Sequence, residues 1–233
     1  MTGPLTTFGD NLWLADGSTV AGAGGFHFPT RMAVARLPDG ALWLWSPVAP
    51  DAGLIDAIRA LGPVGHLVAP NTLHHLFALD WHAAFPDARL FIAPGLRAKR
   101  PDLGFATDLT LEPPAEWQGA FDQVAITGNR ILTEVAFFHR QSRTAIFTDL
   151  IQQMPRDQFR GWRAWIARAD GMTAPRPTVP RKFRISFRDK TALRGQIGQV
   201  LGWGADRLVY AHGAAVPSGG GQALEQAFRW LRP

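Results

Sequence analysis

Apolar residues in this chain fall into short runs broken by turn residues, and the spacing within each run sets the element it predicts. Residues 8–14 read as a short strand and the glycine-rich stretch 21–25 as a loop. Residues 31–37 and 41–46 read as a hairpin around Pro38-Asp39-Gly40, where proline presets the bend and glycine accepts a positive φ. Asp51 is placed to cap a helix to about residue 61, with Leu54, Ile55, Ile58 and Leu61 on one face, and Gly62-Pro63 ends it. A buried strand at 65–69, a helix at 73–85, a strand at 89–93 and a short helix near 96–99 follow. This alternation predicts parallel pairing.

A proline-bearing loop is expected at 101–120, then a strand at 121–126. Residues 133–138 and 143–148 form a second hairpin, with Asp149 at a strand end. A helix near 157–169, a loop holding Pro175, Pro177 and Pro180, and a helix near 190–201 come next. A strand at 207–211 stops at His212-Gly213, and a helix over 221–231 closes the chain. No repeat and no long linker interrupts this order. The expectation is one domain over 1–233 with a basic helical insertion at about 156–200.

Composition narrows the chemistry. The 233 residues are 46% hydrophobic and 18% charged, enough apolar matter for a core. There is no cysteine, so disulfides and thiolate metal ligands are excluded, and a metal site must draw on His, Asp, Glu or backbone oxygen. The start, Met1-Thr2-Gly3-Pro4-Leu5, lacks a basic segment followed by an apolar core, and no apolar run approaches the roughly 18 residues of a spanning helix. A soluble, cytoplasmic protein is expected.

The formal charge of +5 is uneven. Residues 156–194 hold eleven Arg or Lys against three Asp, a balance of +8 that leaves −3 for the rest. One local anion-facing surface is therefore expected, with no specific nucleic-acid partner. Within the segment, Phe159, Trp162, Trp165 and Ile166 recur at helical spacing among Arg160, Arg163 and Arg168. The leading reading packs this aromatic face on the protein; the rival lays it on an anionic membrane or on single-stranded nucleic acid.

Candidate ligands collect at the ends of predicted strands: His74 and His75 after the first, Asp149 after the second, His212 after the third. Loops converge at the carboxyl ends of strands while the sheet holds them rigid. Neutral imidazoles with one carboxylate suit a divalent ion, with zinc first and iron or manganese as alternatives. The plain alternative makes each an ordinary cap, turn or surface residue, with no metal bound. His27, His66, His82 and His139 read as structural, and Glu134 as the partner of an arginine.

With those residues set out, the chain resembles the metallo-β-lactamase superfamily. The resemblance implies an α/β, four-layer αββα sandwich with metal held at one edge between two sheets. The family's H-x-H-x-D-H motif falls on Pro70-Asn71-Thr72-Leu73-His74-His75, its next histidine on Asn129, its bridging aspartate on Asp149 and its last histidine on His212. Three ligands of one family metal site thus become Pro70, Thr72 and Asn129, while the other keeps His75, Asp149 and His212, with His74 where aspartate stands. The run 69–75 is similar, more narrowly, to an uncharacterised branch, a domain family of unknown function.

The resemblance implies a mononuclear metal-dependent hydrolase with ligands among His74, His75, Asp149 and His212. Water would be activated against an ester, lactone, amide or phosphodiester of a small anionic molecule. His74 and Asp149 are the candidate catalytic groups, and Asn71, Asn129, Arg184 and Arg188 the candidate substrate contacts. The alternatives are a non-catalytic binding protein on the same fold, or peripheral membrane or nucleic-acid association through the basic insertion.

Overall fold

The apolar runs pair into two sheets, of seven and of four strands. The structure, a computed structural model, describes residues 4–173 and 175–232. The expected leader-free start at 1–3, position 174 of the expected insertion and the end of the expected 1–233 domain lie outside the described residues. The first sheet runs in chain order through β1 (Thr6–Gly9), β2 (Leu12–Ala21), β3 (His27–Arg36), β4 (Leu42–Trp45), β5 (Val64–Ala69), β6 (Arg89–Ile92) and β7 (Thr107–Asp108). It is antiparallel to β4 and parallel from β4 onward, as the alternation of strands and helices predicts. The second sheet contains β8 (Phe121–Ile126), β9 (Glu134–His139), β10 (Thr144–Gln153) and β11 (Arg207–Gly213), in the order β11-β10-β9-β8.

Strand periodicity explains how the sheets stack. On β9, Val135 and Phe137 face the first sheet and join Trp43, Trp45, Phe91 and Phe121 between the sheets. Ala136 and Phe138, one residue out of phase, face the other way. There they meet the helical layer of α5 (Arg181–Ser186), α6 (Lys190–Gly202) and α7 (Gly220–Phe228), through Phe183, Leu193, Ile197, Leu224 and Phe228. The outer face of the first sheet is covered by α1 (Ala52–Leu61), α2 (Ala78–Ala84) and α3 (Leu96–Lys99), through Leu54, Ile58, Trp81 and Leu96. The result is the expected αββα sandwich. Asp51 caps α1, its carboxylate accepting from Leu54 N at 2.9 Å. No helix among the described residues is long and apolar enough to cross a membrane.

Five local expectations change. Residues 8–14 are two paired strands, because Asn11 takes φ 54° and turns the chain between β1 and β2. The helix expected from 73 begins only at Ala78, so His74 and His75 lie on the turn before it. Asp149 lies inside β10, and a short helix, α5, follows the prolines of 175–180. The remaining helix, α4 (Gly161–Asp170), buries Ala164 and Ala167 with Phe159 before it, while Trp162, Trp165 and Ile166 face outward. Of the aromatic face only Phe159 is buried, while Trp162 meets Phe26 by one edge.

Candidate metal centre

His74, Asp149 and His212 come from three separate segments and meet at one corner between the sheets. His74 Nε2 lies 3.3 Å from His212 Nε2 and 3.3 Å from Asp149 Oδ2, and His212 Nε2 lies 3.1 Å from Asp149 Oδ1. Asp149 and His212 are buried, and the His74 side chain is 10% exposed.

Each member is positioned by a partner. The Asn71 Oδ1 accepts from Leu73 N at 2.8 Å and His74 N at 2.7 Å, an Asx turn that swings the chain after β5 and aims His74 at the corner. The Asn71 amide nitrogen donates to Asp149 Oδ2 and to Thr148 Oγ1, both at 2.7 Å. The Ser46 hydroxyl holds His74 Nδ1 at 2.8 Å. His212 Nδ1 lies 2.8 Å from the Pro29 carbonyl oxygen. A carbonyl only accepts, so Nδ1 carries a proton there, and Nε2 is the ring atom turned toward His74 and Asp149. Phe28 packs on the His212 ring at 5.3 Å.

Asp149 departs from regular pairing because of Glu134. The β10–β11 register skips from Phe147↔Tyr210 to Gln152↔His212, and the freed amides of the bulge need acceptors. The Glu134 carboxylate supplies them, accepting from Thr148 N and Asp149 N at 2.8 Å and from Leu150 N at 3.1 Å. Arginine is not its partner, contrary to the sequence reading. Burial and the neighbouring Asp149 charge push the Glu134 pKa up. Three backbone amides nevertheless aim their hydrogens at its two oxygens, a geometry that favours the ionised carboxylate.

The Asp149 pKa lies well below the usual carboxylate range: burial opposes its ionisation, but His74 and His212 outweigh burial through charge and hydrogen bonds. Burial likewise opposes charge on His74, but the adjacent Asp149, with Glu134 behind it, raises its pKa. Two carboxylates and two imidazoles therefore share one dry corner, a setting that favours a cation.

The remaining expected residues are engaged elsewhere. His75 turns away from the cluster and accepts from Arg100 Nη1 at 2.9 Å, because consecutive residues on this turn face opposite sides. Burial, with Lys99 and Arg100 nearby, lowers its pKa to about 4. Asn71 is fully buried and committed to Asp149 and the turn, so it positions the cluster and does not meet a substrate. Asn129 donates to the Phe183 carbonyl and accepts from Ile131 N, both at 2.9 Å. Arg184 is spent on the Val179 carbonyl and Thr178 hydroxyl, both at 2.6 Å. Arg188 is an exposed residue whose backbone N donates to the Gly128 carbonyl.

Sequence reasoning missed Ser46, Phe28 and the role of Glu134. Only Glu134 had left a signal, as an acid in an otherwise apolar strand. Gly213 also serves the corner. Its φ of 142° and the adjoining Gln153 carbonyl leave no space for a side chain, and its own oxygen accepts from Arg31.

A tetrahedral ion with bonds of about 2.0–2.1 Å would hold its ligand atoms roughly 3.3–3.4 Å apart. The 3.3 Å between the two Nε2 atoms fits such an ion, the Asp149 oxygens lie 3.1–3.3 Å from them, and the His-His-Asp donor set suits zinc, iron or manganese. Among the described residues this is the only group of three or more His, Asp or Glu side chains disposed to share an ion.

Residues 10–164, more than half of the chain, match the family model described as domain of unknown function DUF4336. No curated protein matches the chain in sequence. The fold is similar to that of metallo-β-lactamases. The enzyme from Hirschia baltica superposes with a TM-score of 0.64 at 10% identity, covering 98% of this chain and 97% of its own. FIM-1 from Pseudomonas aeruginosa, in its mono-zinc form, gives 0.64 at 11%, covering 98% and 96%. The enzyme from Pontibacter korlensis gives 0.64 at 12%, covering 97% of each. At such identity the likeness establishes the fold alone.

Proposed function

We propose that this chain, which belongs to the DUF4336 family, is a metallo-hydrolase-like protein that holds one divalent ion through His74, Asp149 and His212. The observation that carries this reading is the convergence of His74 Nε2 and His212 Nε2, 3.3 Å apart, on the Asp149 carboxylate, which they meet through different oxygens at 3.3 and 3.1 Å. An ion bound there would supply Lewis acidity toward a carbonyl or phosphoryl oxygen and would acidify water.

The chain's own groups prepare that chemistry. Pro29 fixes the tautomer of His212, Ser46 and the Asn71 turn orient His74, and the Asn71 amide holds Asp149. Glu134 adds a second negative charge behind Asp149, and together they match a dication. The substrate class we assign is a small ester, lactone, amide or phosphodiester. Asn71, Asn129 and Arg184 are committed to contacts within the protein, so none of these three supports the anionic part of that assignment.

One observation favours a second reading, a non-catalytic binding protein. Protons on His74 Nε2 and His212 Nε2 would reach Asp149 Oδ2 at 3.3 Å and Oδ1 at 3.1 Å, so the carboxylate can be satisfied without an ion. Metal content decides between them. Protein reconstituted with zinc, iron and manganese in turn should retain about one equivalent of one of them, and His212→Ala and Asp149→Ala should each abolish retention. Substoichiometric metal in all three preparations would remove the metallo-hydrolase reading. One equivalent without turnover of ester, lactone, amide and phosphodiester probes would leave the binding protein.

A further inference from the structure

The exposed side of α4 is the largest feature that the metal corner leaves unused. Trp162, Trp165 and Ile166 stand at i, i+3 and i+4, which makes a single stripe, and they are 54%, 73% and 47% exposed. The opposite stripe, Ala164 and Ala167, is buried with Phe159 against Phe26 and Met172. The helix is therefore amphipathic, with its larger apolar groups on the solvent side.

Arginines border that stripe. Arg163 lies over the Trp162 ring at 4.5 Å and Arg168 over the Trp165 ring at 5.8 Å. Among the described residues neither these two nor Arg156 and Arg160 stand in an ion pair; the acid on the helix, Asp170, is taken by Lys182 at 2.9 Å. Arg156 and Arg168 also line an open cavity of about 560 Å³ with Thr173 and Pro175. Two guanidinium groups at one cavity, neither held by an acid among the described residues, are what a phosphate needs.

We propose that α4 docks on an anionic phospholipid bilayer. Trp162, Trp165 and Ile166 enter the interfacial layer, and one lipid phosphate sits between Arg156 and Arg168. Nucleic acid fits less well. Ile166 offers no face for base stacking, the stripe is convex where a strand needs a groove, and the chain outside residues 156–194 carries −3. Docking would bring the metal corner close to the lipid, because Trp162 packs on Phe26, Phe26 on Phe28, and Phe28 on His212. The inference stands whether or not that corner holds an ion.

Sedimentation with vesicles tests it. The full chain should bind mixed phosphatidylcholine–phosphatidylglycerol vesicles and lose that binding in pure phosphatidylcholine or high salt. Trp165→Ala with Ile166→Ala, and separately Arg156→Gln with Arg168→Gln, should each weaken partitioning by about tenfold or more. Ile185→Ala, which trims an exposed apolar residue on α5, should leave it unchanged. The proposal is overturned by absent or salt-insensitive binding, by unchanged binding in either double variant, by an equal loss in Ile185→Ala, or by tighter binding of a single-stranded oligonucleotide than of vesicles.

Discussion

At the His74–Asp149–His212 corner every polar side chain is held by another group, whereas on α4 the largest apolar groups and the arginines face outward with few partners. Asn71 joins the Asx turn to Asp149, and Glu134 joins β9 to three amides of the β10 bulge. Trp165 is 73% exposed, and its polar neighbour Arg168 stands in no ion pair among the described residues. In a dry interior an unpaired donor or acceptor is costly, so a buried polar cluster persists only when its bonds are complete. On the surface that constraint lapses, and an unfinished set of contacts marks where something else can bind. The two regions should therefore answer mutation in opposite ways, one through stability and the other through association.

The largest effect is expected at Glu134. Glu134→Gln preserves shape but replaces one acceptor oxygen with an amide donor, aimed among backbone donors that have no alternative. The loss should be about 3–5 kcal/mol in chemical denaturation, because it strands buried amides and removes a buried charge from its network. Metal retention should fall with it, since Asp149 loses the bonds that set its bulge. A loss below about 1 kcal/mol would mean that water completes the bulge and that the corner is less closed than its geometry indicates.

A second polar group, His139, extends the comparison to pH. Burial lowers its pKa to about 4, and its Nδ1 meets the Ser142 hydroxyl at 2.7 Å. The folded state thus keeps the ring neutral while the unfolded chain takes up a proton near pH 6.5. The unfolded state binds more protons between those values, so stability is complete above about pH 6.5, falls as pH drops toward 4, and levels off below. The full fall is about 3 kcal/mol for a shift of this size. Denaturation midpoints measured across that range should show it for the native chain, and His139→Gln should remove about half of the slope, the rest belonging to His75, which burial lowers to the same value. An equal slope in the variant would assign it to another group.

How much of this was legible depended on whether one segment decides a feature. The Asp51 cap, the turn at Pro38-Asp39-Gly40 and the parallel half of the first sheet follow from local spacing, and the structure has all three. The corner was legible as strand-end residues in a family-like order, which singled out His74, Asp149 and His212 together. Which of two adjacent histidines turns inward was not legible, because the side chain of Asn71 decides it. Nor was the bulge at Asp149, which depends on a carboxylate from the neighbouring strand. Helical spacing identified the aromatic residues of α4, but periodicity does not say which of two apolar stripes the rest of the chain covers.

The smallest stability change should come from α4, and there a small value is the informative one. Trp165 and Ile166 lose little water on folding, so Trp165→Ala with Ile166→Ala should shift unfolding by no more than about 0.5 kcal/mol. Neither side chain belongs to the buried cluster that seats the helix, which is made by Phe26, Met154, Phe159, Ala164, Ala167 and Met172. Thermal unfolding of the double variant beside the native chain measures this directly. A loss of about 2 kcal/mol or more would mean that both residues pack against the protein in solution, and α4 would then be ordinary core. An unchanged midpoint together with the expected tenfold loss of vesicle partitioning would separate the two regions cleanly, because the same substitutions would remove association and leave the fold intact.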